Sequence, residues 1–172
     1  MALSTAPQDP AERLAWLTDR EEIRALAIEF ARSIDSKDQA SYAQTFAEDG
    51  VAVLPFGEFK SRATIAAMHG PPAHIGTHHL LGQTVIDLHG DTATARTYLS
   101  VTHVFEPTDK TQKAHSGGWY EQELVRTAEG WRFARVQLVV LWEDPRPMLD
   151  NHGPDAPGAA LAAAGKSITS GL

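Results

Sequence analysis

Apolar residues in the first third of the chain return at three- and four-residue intervals. Ile23, Leu26, Ala27, Phe30 and Ile34 form one stripe, the spacing of an amphipathic helix. Asp9-Pro10 reads as an N-cap followed by a proline at the first helical position. Thr18 with Glu21 three residues on reads as a capping box, which restarts or continues that helix. A second short helix is expected from Asp38 through Tyr42, Ala43 and Phe46, stopping before Gly50. Val51 to Leu54 reads as a short strand closed by Pro55. Ser61 is the expected cap of a further helix carrying Ile65 and Met68, broken at Gly70-Pro71-Pro72.

Downstream the period changes. Thr77 to Leu88, Thr92 to Phe105, Lys113 to Arg126 and Trp131 to Trp142 alternate in polarity and are rich in Thr, Val and aromatics, which predicts four long strands. His89-Gly90-Asp91 and Ala128-Glu129-Gly130 supply tight turns between neighbours. Helices first and antiparallel strands afterwards is the order of an α+β fold. After Trp142 the chain is rich in proline, glycine and alanine, the composition of a tail. The expected organisation is an extension with a short helix over 1–17, one domain over 18–148, and a flexible C-terminal tail or lid over 149–172.

Composition narrows the chemistry. The chain has 172 residues, 42% of them hydrophobic and 22% charged, which suits one globular domain. Its net charge of −7 with no Lys/Arg run argues against nucleic acid as a partner. Cysteine is absent from the sequence, which excludes a disulfide framework, a zinc-thiolate site and a Cys nucleophile. The first residues lack a basic and apolar leader, and no segment approaches the ~20 apolar residues of a membrane span. A cytoplasmic protein without membrane contact is the expectation. There is no Gly-x-Ser-x-Gly elbow, no glycine-rich nucleotide loop and no helical zinc pattern of two His four residues apart with an intervening Glu, so the expected site has neither cofactor nor metal. A facial triad of His79, His103 and Asp35 is the remaining metal alternative.

Eight histidines are the unusual entry in this composition. On the strand from Thr92, alternation puts Ala93, Ala95, Leu99, Val101, His103 and Phe105 on one apolar face. In the preceding strand, His79 goes with Leu81 and Val85, and His78 with Leu80 and Ile86; periodicity leaves open which set faces inward. Asp35 lies near the end of the first helix, where the helix dipole disfavours a carboxylate. A histidine partner would hold it there, and an imidazole so placed is suited to general acid–base work near neutral pH. Trp119, Trp142, Phe46, Phe56 and Met68 are candidate walls for a substrate site.

The landmarks Ile34-Asp35-Ser36-Lys37-Asp38, Phe46-Ala47-Glu48-Asp49-Gly50, Thr77-His78-His79-Leu80, Val101-Thr102-His103, His115-Ser116 and Glu129-Gly130-Trp131-Arg132-Phe133 occur in a telling order. Together they resemble the NTF2-like superfamily, in its SnoaL-like and scytalone dehydratase-like branch, from about Thr18 to Met148. That resemblance implies a cone-shaped curved antiparallel sheet packed against N-terminal helices. It also implies that Asp35, His79 and His103 are catalytic and that Ser116 lies by the substrate. In that branch the second histidine pairs with the aspartate and the first shuttles the proton. This chain departs from the dehydratase at Ile34 and at Val51, Val53 and Leu54, where two tyrosines are missing, and at Gly118, where an asparagine is.

The resulting expectation is a cofactor-independent, dehydratase-type lyase that removes a proton α to a carbonyl of a small hydrophobic, polyketide-derived or polycyclic substrate. A SnoaL-like cyclase or ketosteroid-type isomerase is the alternative on the same scaffold. A non-catalytic binding module, such as an oxygenase small subunit, is the alternative of another class. Relatives of this kind imply a homodimer or homotrimer.

Overall fold

The structure, a computed structural model, describes residues 5–55, 57–67, 76–105 and 113–144. Helix α1 spans Pro10–Asp35 without interruption. Asp9 caps it, its carboxylate accepting from the N–H groups of Ala11 and Glu12. Thr18 does not restart the helix: its hydroxyl bonds back to the Leu14 carbonyl at 2.9 Å, as a mid-helix threonine can. The expected break between an extension and the domain at residue 17 therefore falls inside a continuous helix.

Helix α2 covers Gln39–Gln44, capped by Asp38. It is shorter than expected because Phe46 already belongs to strand β1, Phe46–Leu54, and extends the chain into the sheet. Strand β2, Gly57–Lys60, returns antiparallel to β1; four residues were too few to register as a strand pattern. Helix α3, Arg62–Ala67, starts at Ser61 as expected, the Thr64 N–H donating to the Ser61 hydroxyl.

The four long strands are β3 (Gly76–His89), β4 (Thr92–Val104), β5 (Lys113–Thr127) and β6 (Gly130–Asp144). Sheet order is β2-β1-β6-β5-β4-β3. Pairing is antiparallel throughout except for β1 and β6, which run parallel. The sheet is thus mixed and not purely antiparallel, because α3 and the long excursion through β3–β5 separate β1 from its neighbour in sequence. The α+β expectation holds.

One face of this curved sheet packs on the helices. Ile23, Ala27 and Phe30 of α1 meet Ile86, Ala95, Leu99, Tyr120, Leu124, Phe133 and Val136 of the strands. Phe30 is central, with ring centroids 5.0 Å from Tyr42, 5.1 Å from Tyr120 and 5.5 Å from Phe133. A polar clamp fixes the middle of α1. Arg126 and the Trp131 indole both donate to Asp19, at 2.7 and 3.1 Å. No helix among the described residues is long and apolar enough to cross a membrane.

Register decides which side chains reach the helix-facing side. His79 pairs with Val101 and Leu81 with Leu99, so His79 faces inward and His78 outward. An irregularity between Leu81 and Thr84 then reverses the alternation: Ile86 opposes buried Ala95, and Val85 opposes Arg96 on the outer side. Val85 and Ile86 therefore exchange the faces that strict alternation predicted for them.

Candidate active site

The site begins where α1 ends. Asp35 is its last residue and Ser36 its C-cap. Lys37 follows in the left-handed region (φ 57°), its N–H bonded to the Ile34 carbonyl at 3.0 Å, while the Asp38 N–H returns to Ser33 at 2.9 Å. This closure satisfies the terminal carbonyls and stops the helix with the Asp35 carboxylate beside the start of β3.

Three hydrogen bonds from β3 converge on that carboxylate. The Thr77 hydroxyl donates to Oδ1 at 2.8 Å, the His79 backbone N–H donates to Oδ2 at 2.9 Å, and His79 Nδ1 lies 2.6 Å from Oδ1. Burial pushes the Asp35 carboxyl up. The His79 ring and N–H, the Thr77 hydroxyl and the His79 charge together outweigh it and hold the acid below the usual carboxylate range. An ionised carboxylate only accepts, so Nδ1 donates to it, and in the neutral imidazole the lone pair is then on Nε2. The imidazole is 6% exposed against 26% for the carboxylate. The result is a desolvated base with its tautomer and orientation set.

Across the sheet, His79 shares an inward row with Val101, Ser116 and Glu143. The adjoining row holds Thr77, His103 and Ala114. His103 is thus a diagonal neighbour of His79 on the same face. The pairing of Asp35 with His103 implied by the resemblance is not what the structure has. The bonds to the carboxylate come from Thr77 and His79, because β3 and not β4 runs against the end of α1. Among the described residues, no three His, Asp or Glu side chains cluster to hold a metal ion, so Asp35, His79 and His103 do not form a facial triad.

The proposed walls separate. Ser116 is buried on the inward face. Trp119 and Trp142 lie on the opposite face, where strand alternation sends odd and even neighbours of Ser116 apart. The Trp119 indole N–H donates to Glu121 at 2.7 Å and its ring lies under Arg96 at 5.0 Å. Trp142 is 46% exposed and its indole sits against Gly117, where an added Cβ would collide with the ring. Both tryptophans are therefore outer-face residues. Phe46 is fully buried core. Phe56 and Met68 lie outside the described residues, as do His69, His74 and His152. His115 also faces outward, 3.0 Å from the Thr102 hydroxyl, and His89 pairs with Asp87 at 3.3 Å. A groove of about 350 Å³ lies on that outer face, among Asp87, Thr94, Glu121, Glu123, Arg135 and Gln137, away from Asp35 and His79.

Sequence reasoning missed Thr77 as a partner of Asp35 and Glu143 as a member of the inward row of His79. Thr77 was legible in principle, since it stands two residues before His79 on one strand face. Glu143 was not, because its row depends on a register shift between Gly117 and Gly118.

Comparison with known proteins gives a consistent picture. The profile of the SnoaL-like domain matches residues 15–137. A candidate aromatic-ring hydroxylase from Novosphingobium aromaticivorans is 26% identical, covering 80% of this chain and 98% of its own, with a TM-score of 0.67. A candidate scytalone dehydratase from the same organism is 19% identical, covering 74% and 87%, with a TM-score of 0.66. The hexachlorocyclohexane dehydrochlorinase LinA, type 2, is 16% identical over 78% and 93%, with a TM-score of 0.69.

Proposed function

Since the chain belongs to the SnoaL-like family within the NTF2-like superfamily, we propose that it is a cofactor-independent lyase working through the Asp35–His79 pair. The observation that carries this reading is the 2.6 Å contact that fixes His79 Nδ1 on a half-buried carboxylate and leaves Nε2 to act as the base. Likeness to proteins named as a dehydratase and a dehydrochlorinase supports an elimination.

The substrate in this reading is a small, largely apolar β-hydroxy ketone, polyketide-derived or polycyclic. His79 Nε2 takes the proton α to the carbonyl and an enolate forms. Asp35 balances the imidazolium. The enolate collapses, the β-hydroxyl leaves, and the proton returns to it from His79 or by way of His103, giving an enone and water. Cyclisation and double-bond isomerisation share the first step, so the same base serves them.

That common step provides the test. A panel of bicyclic β-hydroxy ketones is incubated in D₂O and α-proton exchange is followed by NMR. Exchange catalysed by the protein and lowered ~10²–10⁴-fold in His79→Ala is the expected result. Exchange at the wild-type rate in that variant would sink the assignment. A non-catalytic module is the second reading, favoured by Leu80, Leu141 and Trp142 exposed on the outer sheet face. It predicts no exchange at all.

A further inference from the structure

Strand β6 does not keep its alternation to the end. Its pairing with β5 sets Trp119 against Val139 and Gly118 against Val140, then jumps to Gly117 with Trp142 and Ser116 with Glu143. Leu141 is the extra residue of a β-bulge and is 68% exposed. Val140 lies in the inward row of buried Leu99 and Gly118. Strict alternation from Val140 would send Trp142 inward and Glu143 outward. The bulge reverses both. Trp142 sits against Gly117 on the outer face, and Glu143 joins the inward row of His79, Val101 and Ser116.

Bulges recur beside active sites, where they re-aim a side chain. Here the re-aimed side chain is an acid at the border of an apolar floor, since the adjoining inward row holds Leu81, Leu99, Gly118 and Val140. The Asp35–His79 pair lies at the β3 end of its row and Glu143 at the β6 end. Three strand steps of ~4.8 Å separate those ends by about 14 Å along the row. A polar contact of about 3 Å at each end leaves about 8 Å for a molecule lying along it, the length of two fused rings. A carboxylate has about four acceptor sites, so Glu143 can take a ligand hydroxyl beside its contact within the protein.

We propose that Glu143 is a specificity residue whose carboxylate accepts a hydrogen bond from a hydroxyl at the end of the ligand remote from His79. This deepens the lyase reading and rests on it for the placement of the reacting carbon. The ligand class narrows to flat ketones of two or more fused rings that carry a hydroxyl across the ring system from the carbonyl. A hydrogen or a methyl ether in that place leaves the carboxylate on an apolar wall without its donor, and an acidic group there meets like charge. Glu143 holds the end of the ligand where no bond changes, so it governs KM more than kcat.

The probes are 6-acetyl-2-naphthol and its methyl ether, which differ in that one donor and are both titrated by their fluorescence. We expect the wild-type protein to bind the naphthol about tenfold or more tightly than the ether, the effect of a hydrogen bond to a charged group. Glu143→Leu should erase the preference and bind the ether as well as the wild type does. Glu143→Gln keeps the size with a weaker acceptor and should reduce the preference severalfold; it carries the test if circular dichroism shows that the Leu variant does not fold. No preference in the wild type, binding of neither probe, or a preference undiminished in the folded variants would overturn the assignment. In α-proton exchange at the acetyl group, Glu143→Leu should raise KM for the naphthol about tenfold with kcat changed less. The two proposals separate cleanly. A preference that depends on Glu143, without exchange in the wild type, removes the reaction and keeps the role of Glu143; exchange with no preference for the naphthol removes that role and keeps the reaction.

Discussion

Thr77 shows how much one side chain can direct. Its hydroxyl and the His79 ring share Asp35 Oδ1, so the carboxylate is triangulated and the imidazole has one available orientation. Thr77→Val keeps the strand and deletes one of three bonds to the acid. Expected is a several-fold loss of kcat with little change in KM, while the fold, read by circular dichroism, stays intact; an unchanged kcat would show that the two His79 contacts suffice. Phe30 marks the packing limit. It touches four other aromatic rings and is 1% exposed, so Phe30→Ala should cost about 3–5 kcal/mol in urea unfolding. Both residues were visible as letters, yet only Phe30 was legible as core, because a helical stripe announces burial whereas a threonine's hydrogen-bond partner is set by a distant helix end.

Elements place these residues by where they stop. The closure at Ser36-Lys37-Asp38 sets the end of α1 at Asp35, and Asp38 then caps α2 through the Ser41 N–H at 3.0 Å. Lys37 occupies a left-handed position that glycine adopts without strain. Lys37→Gly should therefore raise stability by up to about 1 kcal/mol, glycine's extra unfolded-state entropy offsetting part of the relief. A lower Tm in that variant would contradict the strain assigned to this turn. The Asp-Ser-Lys-Asp run pointed to a helix end in the sequence, and the end is there. Strand β1 was less legible: Phe46 to Gly50 looks like a helix terminus until its pairing with β6 supplies the hydrogen bonds.

At the scale of the molecule, opposite ends of the pH range act on different groups. The Arg126 hydrogen bond to Asp19 and those from His79 and Thr77 to Asp35 hold both acids below their ordinary values against burial. Their stabilisation is complete above the unfolded pKa of about 3.9 and is lost as pH falls through the lower folded values. Burial pushes Tyr42 and Tyr120 upward. Their contribution is complete below the unfolded value of about 10 and is lost as pH rises toward the folded ones. Urea unfolding across pH should give a plateau between these limits. Absorbance at 295 nm should show two of the three tyrosines ionising only as the protein unfolds in alkali; ionisation of all three in the folded protein would mean that the phenols are open to water.

Periodicity was enough to determine the order of helices and long strands, the apolar stripe of α1 and the inward face of β4, because each is a repeat within a single element. The helix-end motif and two strand histidines were enough to suggest the family. Tertiary structure alone chose His79 over His103 as the partner of Asp35, since only packing brings β3 against the end of α1. It alone moved Trp119 and Trp142 to the outer face and exchanged Val85 with Ile86, because register and bulges are set between strands. And it alone gathered Tyr42 and Tyr120 around Phe30 from elements far apart in the chain. Repeats of 3.6 and 2 are properties of one segment, whereas a site is made where segments meet.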